Sequence, residues 1–328
     1  MDKESLRRVG IKIGHYTDRE NLTGLTVFIA EKGADIGIDV KGSSTGSHNT
    51  EAYGNPKAAT RLAQAIVLTG GSSYGLESIF GVMEYLEKQG IGNKTKAGIV
   101  PGITGGVIYD LTVGSAKVRP TKENGYKAAE NSSYNIPREG NVGVGTGATT
   151  GKWFDGKHLK GGFGIAEVHL PQDILVCAFV VTNSSGDIVN PKTGKFYYDE
   201  GNFDLGKHHL PDNLEGFTQS SSIPLNTTLA VIATNMAMNR NQLLKVAEIA
   251  QDGMARSILP VHATYDGDIV FATSSHSGER RNIPGVADTI VTDVVGLGAA
   301  DALAKAIKSS ILHAEDIDDF PDYSSQVK

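Results

Sequence analysis

A side-chain hydroxyl is a poor nucleophile at neutral pH unless a base takes its proton. Asn226, Thr227 and Thr228 stand where a long irregular segment gives way to an apolar, β-branched run ending at Thr234. A cut just before a threonine would place its new α-amine, of ordinary pKa about 8, beside the hydroxyl as an adjacent base. An Asn-containing turn entering a strand has the same appearance. A second feature adds weight to the first. Asp266 and Asp268 are separated by one glycine and precede another apolar run. Two close carboxylates can hold an ammonium and orient a hydroxyl, although alone they read equally well as an acidic turn.

Other chemistries fit less well. The glycine-rich run from Gly143 to Lys152 has Thr146 where a Walker loop needs glycine, and Trp153 where it needs Ser or Thr. Its match to the dinucleotide pattern, through Gly143, Gly145 and Ala148, lacks the preceding strand. The nine histidines, among them His208, His209 and His262, show no zinc-ligand spacing, and Cys177 lies in an apolar strand. No metal and no cofactor is expected, and no Gly-x-Ser-x-Gly elbow occurs.

The elements that must position these residues follow from periodicity. Residues 25–30 and 35–40 read as two strands of a hairpin around a turn at 31–34. Residues 65–68 form a strand running into a glycine turn. Leu76, Ile79, Phe80, Met83 and Leu86 then give one apolar helix face. From Asp173 the chain runs into a continuously apolar stretch to Val181, as in a strand buried on both faces, with Asn183 just beyond. From Ser184 to Asn226 no period survives, and such long irregular segments inside a domain are usually functional or disordered. Asn239 and Gln242 form a capping box for the next helix. Residues 268–273 make a strand, and Leu297, Ala300, Ala304, Ile307 and Ile311 mark a last long helix. Strands and helices mix without strict βαβ alternation, so a layered α/β or α+β fold is expected.

Composition narrows the class. The 328 residues carry 31 basic and 37 acidic side chains, net charge -6, without a long basic run, so nucleic acid is not an expected partner. No apolar run approaches the roughly 20 residues of a membrane span, and a single cysteine fits a reducing compartment. A cytoplasmic globular protein is expected.

Taken together, several ordered blocks resemble the L-aminopeptidase/D-esterase family of N-terminal-nucleophile hydrolases, and within it the nylon-oligomer hydrolases. They are Leu68 to Leu76, Gly106 to Asp110, Gly147 to Lys152, Val180 to Asn183, Asn226 to Leu229 and Pro260 to Asp268. The resemblance implies a four-layer αββα sandwich with helices outside two β-sheets, formed by a single domain over residues 1–328. It implies self-cleavage between Asn226 and Thr227 into an α chain, 1–226, and a β chain, 227–328, that stay together. Thr227 would be the nucleophile, Asp266 and Asp268 the acidic pair, and Lys152 a group that assists proton transfer or holds an amine neutral. Asn183 would stabilise the oxyanion and Tyr109 would line the site. A small peptide, β-peptide or oligoamide would be the substrate, and tetramers of the αβ unit the assembly.

Two departures stand out. Leu225 replaces a frequent glycine, and Asn235 stands where many aminopeptidases of the family carry Asp. The second tilts the reading toward oligoamide hydrolysis, because Asn cannot pair by charge with a substrate ammonium. Acyl transfer, aminopeptidase or esterase activity, and an unprocessed binding protein are the alternatives.

Overall fold

The computed structural model describes residues 1–58, 62–153, 158–200, 226–276, 283–317 and 319–326. Its strands of five or more residues are β1 (Lys12–Asp18), β2 (Thr23–Val40), β3 (Ala63–Thr69), β4 (Ile103–Val107), β5 (Phe163–Leu170), β6 (Ile174–Asn183), β7 (Thr227–Thr234) and β8 (Ile269–Ser275). They join in the order β5-β6-β7-β8-β2-β3-β4, with Ser47–His48 beyond β4 and β1 on β2. The β7/β8 and β3/β4 pairs are parallel; the remaining ladders are antiparallel.

Four layers follow from the alternation of side chains along the strands. On β6, β7 and β8 the even-numbered Val176, Ala178, Ala230, Ile232 and Val270 pack beneath α3 (Arg240–Ala255) and α4 (Asp288–Leu312) in one core. The odd-numbered Cys177, Phe179, Leu229, Val231 and Phe271 face the other way, onto Phe28, Ile66 and Leu68 of β2 and β3. The opposite face of those strands, Leu25, Val27, Ala65 and Val67, packs on α1 (Glu77–Lys88) and α2 (Lys122–Glu130). The result is helices, sheet, sheet, helices.

The expected hairpin at residues 25–40 is instead one strand of 18 residues. Glu31, Lys32 and Gly33 looked like a turn, but they form a bulge where the register shifts between Ile29 and Ala34. Gly33 takes φ 82°, the left-handed conformation that suits a bulge and that glycine adopts without steric cost. The bend lets the first half of β2 pair with β1 and β3, and the second half with β8. The two expected sheets are thereby hydrogen-bonded through one shared strand.

Other expectations meet the structure more closely. Every residue of β6 and β7 is buried, as continuous apolar runs require. Asn239 caps α3 reciprocally with Gln242. On α1 the buried stripe is Ser78, Ile79, Val82 and Leu86, whereas Phe80 is exposed; Gly81 sits against α2 and lets the two helices approach. Leu297 likewise points outward from α4. Residues 184–200 are ordered rather than irregular, with bridges from Asp187 to Leu259 and from Val189 to Phe196, and a helical turn at Tyr197–Glu200. Residues 201–225, including Leu225, lie outside the described residues.

Candidate active site

Thr227 opens β7, the strand between β6 and β8, and is 4% exposed. Asn183 ends β6 directly opposite, as its antiparallel partner. Both positions are odd-numbered, and continuing the alternation of their strands turns them toward the space between the sheets. Thr228 faces the helix side instead. Its hydroxyl is buried without a partner among the described residues, and its N–H donates to Asp268 Oδ1 at 2.7 Å. The Thr227 hydroxyl donates to the carbonyl oxygen of Asn226 at 2.5 Å. Strand register therefore separates the two adjacent threonines.

Asp268 and Asp266 bracket Gly267, and their oxygens are occupied by groups around Thr227. Asp268 Oδ2 accepts the His262 N–H at 3.2 Å and pairs with His262 Nδ1 at 2.8 Å. Asp266 accepts the N–H groups of Ser185 at 3.2 Å and Ala263 at 3.0 Å. Burial first, then the neighbouring Asp268 carboxylate, raises the Asp266 pKa. The two carboxylates lie together beside Thr227, and their backbone partners leave no mark in the sequence. His262, which has no zinc-ligand spacing in the sequence, joins the site as the partner of Asp268, and its place six residues ahead of that carboxylate is the one signal of it. Gly267 was visible only as a spacer. A Cβ there would lie 2.7 Å from Thr227 Oγ1, so glycine is what leaves room for the hydroxyl.

Lys152 reaches Asn183 Oδ1 through Nζ at 2.9 Å, and the Thr149 N–H reaches the same oxygen at 3.0 Å. The amide's Nδ2 donates to the carbonyl oxygen of Tyr109 at 3.2 Å. Two donors on one atom and an acceptor on the other fix the orientation of this amide. Tyr109 thus enters the site through its backbone. Lys152 is half-buried, so water still reaches part of it. Protein packed around its ammonium favours the neutral amine, while Asp266 and Asp110 oppose that, and the balance lowers its pKa to about 7.

Behind this group, Lys160 is fully buried with Nζ on the carbonyls of Gly145, Ala148 and Gly161 at 2.6–2.9 Å. Burial pulls its pKa down to about 7, yet three acceptors match the three protons of an ammonium, and that geometry argues for the charged form. The clasp holds the loop that carries Thr149 and Lys152.

Asn235 does not belong to this site. It follows the far end of β7, roughly 25 Å from Thr227 at strand rise. Its amide is spent on the backbone of Leu175 and Asp173. Asn235 therefore makes no contact with a substrate held at Thr227. Among the described residues no helix is long and apolar enough to cross a membrane.

Layering and topology define the fold. The fold is that of the N-terminal-nucleophile hydrolases. It superposes on the L-aminopeptidase D-Ala-esterase/amidase of Ochrobactrum anthropi with TM-score 0.71 and 20% identity, covering 98% of this chain and 89% of that one. The chain belongs to peptidase family S58, which its residues 9–323 match. It is 35% identical to an uncharacterized aminopeptidase of Mycobacterium leprae, over 96% of this chain and 91% of that one. It is 30% identical to the 6-aminohexanoate-oligomer endohydrolase of Paenarthrobacter ureafaciens, over 84% and 76% respectively. The family and these relatives support hydrolysis of amide or peptide bonds.

Proposed function

We propose that this chain is a self-processing amide hydrolase whose nucleophile, in both self-cleavage and substrate hydrolysis, is Thr227. The observation that carries the reading is the contact of the Thr227 hydroxyl with the carbonyl of the residue before it, inside a site where Asn226 is 1% and Thr227 4% exposed. In the intact chain the Asn226 peptide occupies the place a substrate would need. The cut precedes the opening of the site.

In the first reaction Thr227 Oγ loses its proton to the neutral amine of Lys152 and adds to the Asn226 carbonyl carbon. The C–N bond breaks, the Thr227 nitrogen takes up a proton, and Asn226 is left as an ester on Oγ. Water hydrolyses that ester, giving the Asn226 carboxylate and a free Thr227 hydroxyl beside its own α-amine. In the second reaction a substrate amide goes through the same acyl-enzyme. The pieces 1–226 and 227–328 stay together because β7 and β8 lie between β6 and β2, so each piece supplies strands the other must pair with.

The substrate class is the amide of a small peptide or oligoamide. This agrees with relatives named as aminopeptidases and as an oligoamide endohydrolase. Intact-mass spectrometry of the purified protein tests the first reaction: two species, residues 1–226 and 227–328, are expected. A single whole chain that still hydrolyses peptide or oligoamide p-nitroanilides would overturn self-cleavage. Asp266→Asn removes a charge facing Lys152 and puts an amide N–H against backbone donors. It is expected to slow self-cleavage on the order of 10²-fold. A change below about threefold, under 1 kcal/mol, would return Asp266 to a turn-forming role.

A further inference from the structure

We propose that the backbone N–H of Gly267 is the oxyanion donor of the self-cleavage step, and that Asn183 serves instead to hold Lys152. The inference rests on the reading that the Asn226–Thr227 bond is the one cut. Gly267 N–H donates to the carbonyl oxygen of Asn226 at 2.9 Å. This is the oxygen that becomes negative when Thr227 Oγ adds to its carbon.

The donor is fixed before the reaction. Asn226 and Asp266 form a parallel bridge, the Asn226 N–H donates to the Tyr265 carbonyl at 3.2 Å, and the Ser44 N–H holds the Asp266 carbonyl at 2.9 Å. A donor already aimed at the developing charge needs no reorganisation when the charge forms, which is why such groups contribute strongly. The absence of a side chain is part of the device. A Cβ at 267 would crowd Thr227 Oγ1 at 2.7 Å and the Ser44 carbonyl oxygen at 3.1 Å, so glycine lets nucleophile and donor both reach the Asn226–Thr227 peptide.

Asn183 is committed elsewhere. Its oxygen takes Thr149 N–H and Lys152 Nζ, and its nitrogen faces the Tyr109 carbonyl. Directing that nitrogen at Asn226 would trade away a fixed partner. Its place opposite Thr227 instead brings Lys152 Nζ, held on its Oδ1, to the end of the strand pair that carries the nucleophile. Once Asn226 leaves, the Gly267 N–H meets the carbonyl oxygen of an incoming substrate, so both reactions share one donor.

The test replaces Gly267 by glycolic acid in the full chain, exchanging the N–H for an ester oxygen while adding no side chain. Self-cleavage is expected to slow by about 10²–10³-fold. Cleavage within threefold of the unsubstituted rate would overturn the inference. A second measurement leaves position 267 untouched. In the uncut Thr227→Ala chain the Gly267 amide should exchange its hydrogen slowly, and exchange as fast as in an unstructured peptide would overturn the proposal equally. An unsubstituted chain that stays whole, or is cut elsewhere, would instead overturn the self-cleavage reading, and this inference with it.

Discussion

Thr227→Ala is expected to yield a folded, uncut chain of 328 residues with no measurable amide hydrolysis. The hydroxyl is the only group at this position able to add to the Asn226 carbonyl, and it already lies 2.5 Å from that carbonyl's oxygen. Alanine keeps the strand register, since the β7 ladders to β6 and β8 are made by backbone atoms. The structural cost should be that of a small buried truncation, about 1 kcal/mol. The functional cost is far larger: removing a covalent nucleophile typically lowers turnover on the order of 10⁶-fold. Thr228→Ala is the matching control. Its hydroxyl points away from the site and lacks a partner among the described residues, so self-cleavage should proceed within a few-fold of normal. If Thr227→Ala still gave the 1–226 and 227–328 fragments, the nucleophile would move to Thr228 or the scheme would fail.

Much of this candidate site is legible in the sequence because its residues sit at strand ends. The apolar runs ending at Asn183 and beginning at Thr227 are buried on both faces, and that leaves a pattern no surface element imitates. Asn239 and Gln242 announced a helix start for the same reason, that a cap is local chemistry. Three things were not legible. The run at residues 31–34 carries turn residues in a strand, because a bulge and a turn both want glycine at positive φ; only the partners on β3 and β8 distinguish them. Asn235 matters for a substrate only if its side chain reaches the site, and the type of a residue says nothing of that; at the far end of an extended strand its amide binds the backbone of Leu175 and Asp173 instead. The place of Gly267 depends on which atoms approach it, and a residue without a side chain leaves no trace of that in its own type.

Lys152 supplies the second large effect, through its charge state. Its amine must be neutral to take the Thr227 proton, and burial has lowered its pKa to about 7. Self-cleavage should therefore rise with pH as the ammonium deprotonates through about 7 and level off above it. The surrounding charges set where that rise falls. Asp266 and Asp110 stabilise the ammonium where they are ionised, and because burial raises the pKa of both carboxyls that support itself grows with pH. Asp266→Asn should accordingly move the midpoint to lower pH even as it slows the reaction. Lys152→Met removes the base, and general-base losses of this kind run to about 10²–10⁴-fold. Lys152→Arg should be equally slow despite its similar length, because a guanidinium keeps its proton throughout the accessible pH range. A merely structural lysine would behave differently: arginine would restore the contact with Asn183 Oδ1 and with it most of the rate. Self-cleavage is to be followed from pH 5 to pH 9 in all four chains. An unsubstituted chain with a flat profile, or a Lys152→Arg chain cutting within threefold of it, would remove Lys152 from the proton path and leave its hydrogen bond to Asn183 as its whole contribution.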